Sequence, residues 1–178
     1  MTTQLSIPKN ALVASETQPF TALCFTTRAT LQTLLQYAPG VAENLYQEAS
    51  RLNLAIAGPI QWLYTGVNGD KTAEFQLEIA LPIKEAGASS LQLSYKNFPT
   101  FRYAGYAYTG LWSDFNELYD ALFSQLYRDG YQNDGHVREV YLVINFENPS
   151  ECVTDIQIGL IKIPCSRKLL LPYKILHI

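Results

Sequence analysis

The sequence predicts an α+β fold: duplicated β-α-β-β units with pseudo-twofold symmetry, antiparallel sheets, two main helices and a central groove. Three observations carry this. Val41, Leu45, Ala49 and Leu52, then Phe115, Leu118, Leu122 and Leu126, recur at helical spacing. Phe75, Leu77, Ile79 and Leu81, then Ile156, Ile158 and Leu160, alternate with other residues at the strand period of two. The first half also recurs in the second. Gly58-Pro59-Ile60-Gln61-Trp62-Leu63-Tyr64 aligns with Gly135-His136-Val137-Arg138-Glu139-Val140-Tyr141. Beyond a hairpin loop that differs by two residues, Leu77, Ile79 and Leu81 align with Ile156, Ile158 and Leu160. Asn44-Leu45-Tyr46 matches Glu117-Leu118-Tyr119 on the helices. Self-similarity on this scale is the mark of an internal repeat.

Taken in order, residues 1–19 are a lead-in. Phe20 to Arg28 reads as a strand. Pro39-Gly40 breaks the chain before the first helical stripe, and Gly58-Pro59 closes the connection after it. Ile60 to Thr65 is a strand, turned by Asn68-Gly69-Asp70 into the alternating strand that Pro82 ends. Residues 84–98, with Gly87, Ala88, Ser89 and Ser90, read as a linker. Phe101 to Thr109 opens the second half. Ser113 is the expected N-cap of the second helix and Gly130 its stop. Val137 to Phe146 is a long strand, Asn148-Pro149-Ser150 a turn, and the last alternating run closes the domain. The domain spans 20–163, with halves 20–83 and 100–163. Residues 164–178 form an apolar C-terminal extension, read as a cover for an open edge or a homodimer contact.

The 178 residues are 48% hydrophobic and 16% charged, enough apolar content for one well-formed core. A net charge of −3 gives no basic face for non-specific nucleic-acid binding. No apolar run is long enough for a membrane span or a signal peptide. Cys24, Cys152 and Cys165 lack CxxC spacing and read as reduced thiols of a cytoplasmic protein. Asp114, Glu117 and Asp120 are spaced by three, but no His or Cys joins them; they read as a solvated helix face. The residues suggest neither a cofactor nor a metal.

The unusual feature is 12 Tyr, 8 Phe and 2 Trp. A tyrosine joins an apolar ring to a polar tip, which suits a pocket wall. Strand alternation puts Glu139, Tyr141 and Val143 on one face, and Val140, Leu142 and Ile144 on the other, which suits packing under a helix. Glu139 and Tyr141 then face the groove. The repeat places Trp62 and Tyr64 at the matching positions. Tyr106 and Tyr108 share a face of the strand that leads to Trp112. A carboxylate among rings attracts a cation, and ring faces add roughly 0.5–2 kcal/mol. Burial also raises a carboxyl pKa, so Glu139 is equally a candidate acid or base. The competing reading for Glu139 is a surface carboxylate paired with a cross-strand Lys or Arg.

Four segments resemble the GyrI-like effector-binding family. They are Tyr103 to Trp112, Arg128-Asp129-Gly130-Tyr131, Arg138-Glu139-Val140-Tyr141, and Thr154-Asp155-Ile156-Gln157-Ile158, with the 58–64 and 75–82 stretches in support. The resemblance implies a pseudo-symmetric pocket for aromatic, often cationic compounds, with Glu139 at its base. The family's regulators carry a separate DNA-reading domain. The residues before Phe20 are too few for one, so no direct DNA binding is expected. By the same resemblance the main expectation is a stand-alone, multidrug-type binding protein. The alternatives are a small-molecule hydrolase using Glu139 with Tyr141 or Tyr106, and a protein-interaction inhibitor of the gyrase-inhibitor type. No catalytic residue is assigned.

Overall fold

The computed structural model describes Ile7 and residues 11–161. Eight strands and two helices follow one another as β1 (Val13–Thr17), β2 (Phe20–Ala29), α1 (Ala38–Arg51), β3 (Gln61–Thr65), β4 (Phe75–Ile83), β5 (Ser94–Phe98), β6 (Phe101–Thr109), α2 (Phe115–Arg128), β7 (Asn133–Val143) and β8 (Val153–Leu160). All eight strands join one antiparallel sheet in the order β1-β6-β8-β7-β3-β4-β2-β5.

This corrects the expectation of two sheets meeting across a groove. β3 and β7 pair with each other, Trp62 opposite Glu139 and Tyr64 opposite Val137. Both central strands would otherwise be open edges, and pairing them satisfies their backbone groups. Two further strands were not expected. β1 lies in the lead-in and β5 in the stretch read as a linker. Each is a five-residue edge strand, largely exposed or half-exposed, without a full alternating pattern. At the second helix Ser113 is not a cap; Trp112–Asp114 forms a short 3-10 turn, and Asp114 precedes the helix without a side-chain cap. The long strand runs Asn133–Val143, so Phe146 lies beyond it. Residues 164–178, and Cys165 with them, lie outside the described residues.

Both helices lie on one face of the sheet. Leu45 and Ala49 of α1 pack with Leu23 of β2 and Leu77, Ile79 and Leu81 of β4. Leu118, Leu122 and Leu126 of α2 pack with Ala104 of β6 and Ile156 and Ile158 of β8. These side chains are all but fully buried, and each leucine contributes about 1.5–3 kcal/mol through its apolar surface. The leucine footprints leave β3 and β7 between the two helices. Tyr119 and Phe123 of α2 lean over that strip and pack against both clusters.

The other face is concave. β5 is one edge of the sheet and β6 is next to the opposite edge, yet only Pro99 and Thr100 connect them. Three Cα steps span at most about 11 Å, so the sheet must curl until its ends meet. Phe20 and Phe98 stack there at 4.9 Å between centroids. Leu142 and Ile144, expected under a helix, are on average about half exposed. The register of β7 shifts between Tyr141 and Val143 and the strand ends at Val143, so both residues lie where the regular alternation stops.

Candidate functional site

Glu139 sits in the middle of β7 and faces the strip between the helices. It is only 4% exposed. Three phenols surround its carboxylate. Tyr119 donates to Oε1 at 2.6 Å, Tyr64 to Oε2 at 2.7 Å, and Tyr141 to Oε2 at 2.6 Å. Each comes from a different element for a simple reason. Tyr141 is two residues on in the same strand and so shares Glu139's face. Tyr64 lies on the diagonal of the Trp62–Glu139 pair, within reach of a long side chain. Tyr119 comes down from α2. Among the described residues Glu139 forms no ion pair with Lys, Arg or His. The reading of a surface carboxylate with a cross-strand cation is therefore wrong, because the cross-strand neighbours are Trp62 and Ile156.

Burial pushes the Glu139 pKa above its ordinary value, and the bonds from Tyr119, Tyr141 and Tyr64 pull against that rise. The phenols respond in the same sense. Burial first, then the charge on Glu139, holds Tyr64 and Tyr119 well above the usual phenol range, and Tyr141 likewise. They stay protonated and remain donors. Replacing Tyr119 by phenylalanine is expected to move the Glu139 titration further upward, since one stabilising donor to the anion is lost. Carboxyl-carbon NMR reads this directly; an unmoved midpoint would show that the hydroxyl points elsewhere in solution.

The aromatic wall extends from the carboxylate to the surface. Trp62 meets Tyr141 edge-on at 6.2 Å, and Trp112 meets the same ring at 5.5 Å. Trp112 Nε1 donates to Thr154 Oγ1 at 3.2 Å, and its ring contacts Phe146 at 6.4 Å. Trp112 is 38% exposed and Phe146 82%, so this end of the wall is open to solvent. Gly110 makes the corner that places Trp112. It has a φ of +154°, and a Cβ there would run into the Tyr108 hydroxyl.

Of the residues read from the sequence, the structure brings Glu139, Tyr141, Tyr64, Trp62 and Trp112 together. Tyr106 and Tyr108 stand on β6, two strands from β7. Tyr108 donates to Asp114 at 2.7 Å and Tyr106 packs with the α2 leucines, so neither is a partner of the carboxylate. The sequence reading did not place Tyr119. Its signal was present as a second stripe on α2, Phe115, Tyr119, Phe123 and Tyr127, at four-residue spacing and in ring contact throughout. Among the described residues no group of three or more His, Cys, Asp or Glu is placed to hold a metal. Cys24 and Cys152 are buried and unpaired. No described helix is long and apolar enough to cross a membrane.

A buried carboxylate under a tyrosine cage is thus set in a two-helix antiparallel sheet. The GyrI-like small molecule binding domain matches residues 16–161, and the chain belongs to that family. No curated protein matches it in sequence. Among solved structures it is similar to the EcmrR C-terminal domain (15% identity, TM-score 0.71, covering 85% of this chain and 98% of that one). The chain spans only 57% of EcmrR in its DNA complex, at 13% identity and a TM-score of 0.70 over 85% of this chain. SAV2435 bound to tetraphenylphosphonium is similar at 13% identity and a TM-score of 0.59, covering 84% and 93%. A hydrolase encoded by lin2189 from Listeria innocua follows at 11% identity and 0.53, covering 86% and 93%. At these identities the likenesses establish the fold.

Proposed function

We propose that this protein binds small aromatic cations, with Glu139 supplying the negative charge and Tyr64, Tyr119, Tyr141, Trp62 and Trp112 the walls. One observation carries the reading: a buried carboxylate with three neutral donors and no cation among the described residues. An uncompensated buried charge is costly, and a cationic ligand removes that cost. The tetraphenylphosphonium held by SAV2435 supports this choice of ligand. The strand order supports the duplication read from the sequence. β6, β8 and β7 follow on one side of the centre in the same sense as β2, β4 and β3 on the other. Tyr106 and Tyr108 belong to the outer wall in this reading, reached only by a large ligand.

The direct test is thermal stabilisation by methyltriphenylphosphonium against neutral triphenylphosphine oxide. At 100 times its Kd the cation should add about 2.7 kcal/mol. Equal stabilisation by both compounds would remove the electrostatic part of the proposal.

The pH dependence has two opposite signs. Glu139's folded pKa lies above its unfolded value. Its contribution to the stability of the free protein is therefore fully present below the unfolded pKa and lost as pH rises through the folded one. Cation affinity follows the ionised form and rises across that same window, upward from the ordinary carboxylate value of 4.5. Melting curves with and without the phosphonium should diverge as pH increases. Parallel curves would mean that Glu139 does not titrate there.

One observation favours a second reading. A carboxyl with a raised pKa beside phenol donors is equipped to pass a proton to a bound substrate. Turnover of strained or activated electrophiles that disappears in Glu139→Gln would establish a hydrolase.

A further inference from the structure

Half of the large hydrophobic side chains left exposed among the described residues lie at one end of the sheet. Leu111 and Trp112 follow β6, and Leu142, Val143, Ile144 and Phe146 end β7 and run beyond it. The two stretches are neighbours. Phe146 meets Trp112 edge-on at 6.4 Å. Cys152 ties them together: its carbonyl accepts from the Gly110 N–H at 3.0 Å and its Sγ from the Asn145 N–H at 3.3 Å. So concentrated an apolar patch with a polar rim marks a docking surface. It adjoins the open end of the cage wall.

The rim is acidic. Asp114, Glu147 and Glu151 flank the patch, and among the described residues none of them forms an ion pair. Neither 103–127 nor 139–161 contains a Lys or Arg. The occupant must therefore be apolar and positively charged. The domain of a second copy does not qualify, since residues 1–161 carry nine Lys or Arg against sixteen Asp or Glu, a net −7. Residues 162–178 do. They hold Lys162, Arg167, Lys168 and Lys174 and no acid, around Leu169-Leu170-Leu171 and Ile175-Leu176.

The reach fits as well. Val153 opens β8 beside the patch, opposite Val143, and Ile161 ends at the far side, its N–H bonded to Gln132. These eight strand steps cover about 26 Å. Eight extended steps onward from Ile161 lead to Leu169 and span at most about 26–29 Å. A segment that turns back along the sheet thus brings the three leucines to the patch, with Arg167 and Lys168 at its rim.

We propose that residues 167–176 dock in cis on the patch formed by Leu111, Trp112 and residues 142–146. The leucines cover the exposed rings, and the basic side chains face Asp114, Glu147 and Glu151. The segment then closes the open end of the cage wall, and a ligand entering there displaces it. Only this last consequence rests on the cation reading.

Acrylamide quenching of tryptophan fluorescence on the full chain tests the docking without any ligand. Trp62 is buried, so the quenchable signal belongs to Trp112, and Trp112→Phe supplies the baseline. In the wild type Trp112 is expected to be shielded, at every protein concentration. Leu170→Asp with Leu171→Asp, and separately Arg167→Glu with Lys168→Glu, should each lose that shielding and raise quenching to the level of an open indole. Three results would overturn the inference: a wild-type Trp112 already quenched as an open indole, either variant quenched no more than the wild type, or shielding that fades on dilution, which would place the segment of a second copy there. A protein that passes this test and binds no phosphonium keeps the docking and loses the cation reading. Phosphonium binding with an unshielded Trp112 does the reverse.

Discussion

Replacing Glu139 by glutamine is expected to weaken an aryl-phosphonium or aryl-ammonium ligand roughly 100-fold and a neutral isostere less than about threefold. Two unit charges about 5–6 Å apart attract by roughly 3 kcal/mol at an effective dielectric of 20, the value that suits such sites. The ring faces retain their cation–π attraction in the variant, so the loss falls on the carboxylate alone. The variant should also fold. The amide oxygen accepts two phenols in place of Oε2, where Tyr64 and Tyr141 now donate. The amide nitrogen then donates to Tyr119, whose hydroxyl turns to accept. Calorimetry with the charged and neutral members of a pair separates the two effects. An equal loss for both would mean that the substitution reshaped the cage, and no loss for either would place the ligand elsewhere.

Much of this site was legible because strand parity is local information. Glu139 and Tyr141 share a face whatever the sheet does next, and the repeat read from the sequence aligned Trp62 and Tyr64 with them. What was not legible is the partner across the centre. Whether β7 meets β3 edge to edge or face to face depends on pairing between residues some 75 apart in the chain, and nothing local encodes it. That one pairing decides that Glu139 faces Trp62 rather than a surface cation.

Tyr119 was missed for another reason. The leucines at 118, 122 and 126 define the stripe that a helical pattern search finds, and the aromatic stripe one residue further on is masked by it. Arg138 is the extreme case. Of its aromatic partners, Phe20 and Phe98 meet through the pairing of β2 with β5, and Phe101 joins them across a two-residue link that closes the curl, so its burial has no signature in its own segment.

The two stripes of α2 predict a division of labour. Leu126→Ala is expected to destabilise the protein by about 2–5 kcal/mol, the usual cost of emptying a packed leucine site. For a domain of this size that lowers Tm by roughly 5–15 °C. Leu126 is fully buried in the cluster with Ile156 and Ile158. It stands two turns, about 10 Å along the axis, from Tyr119 and makes no hydrogen bond to the Glu139 carboxylate. Discrimination between the phosphonium and its neutral analogue should therefore survive at temperatures where the variant is folded. Tyr119→Phe should show the reverse, a smaller change in Tm with a displaced Glu139 titration. Denaturant melts and ligand titrations on the two variants read both quantities. If Leu126→Ala also erased the charge preference, the cage would depend on how α2 as a whole is seated on the sheet. The Tyr119 contact alone would then not account for it.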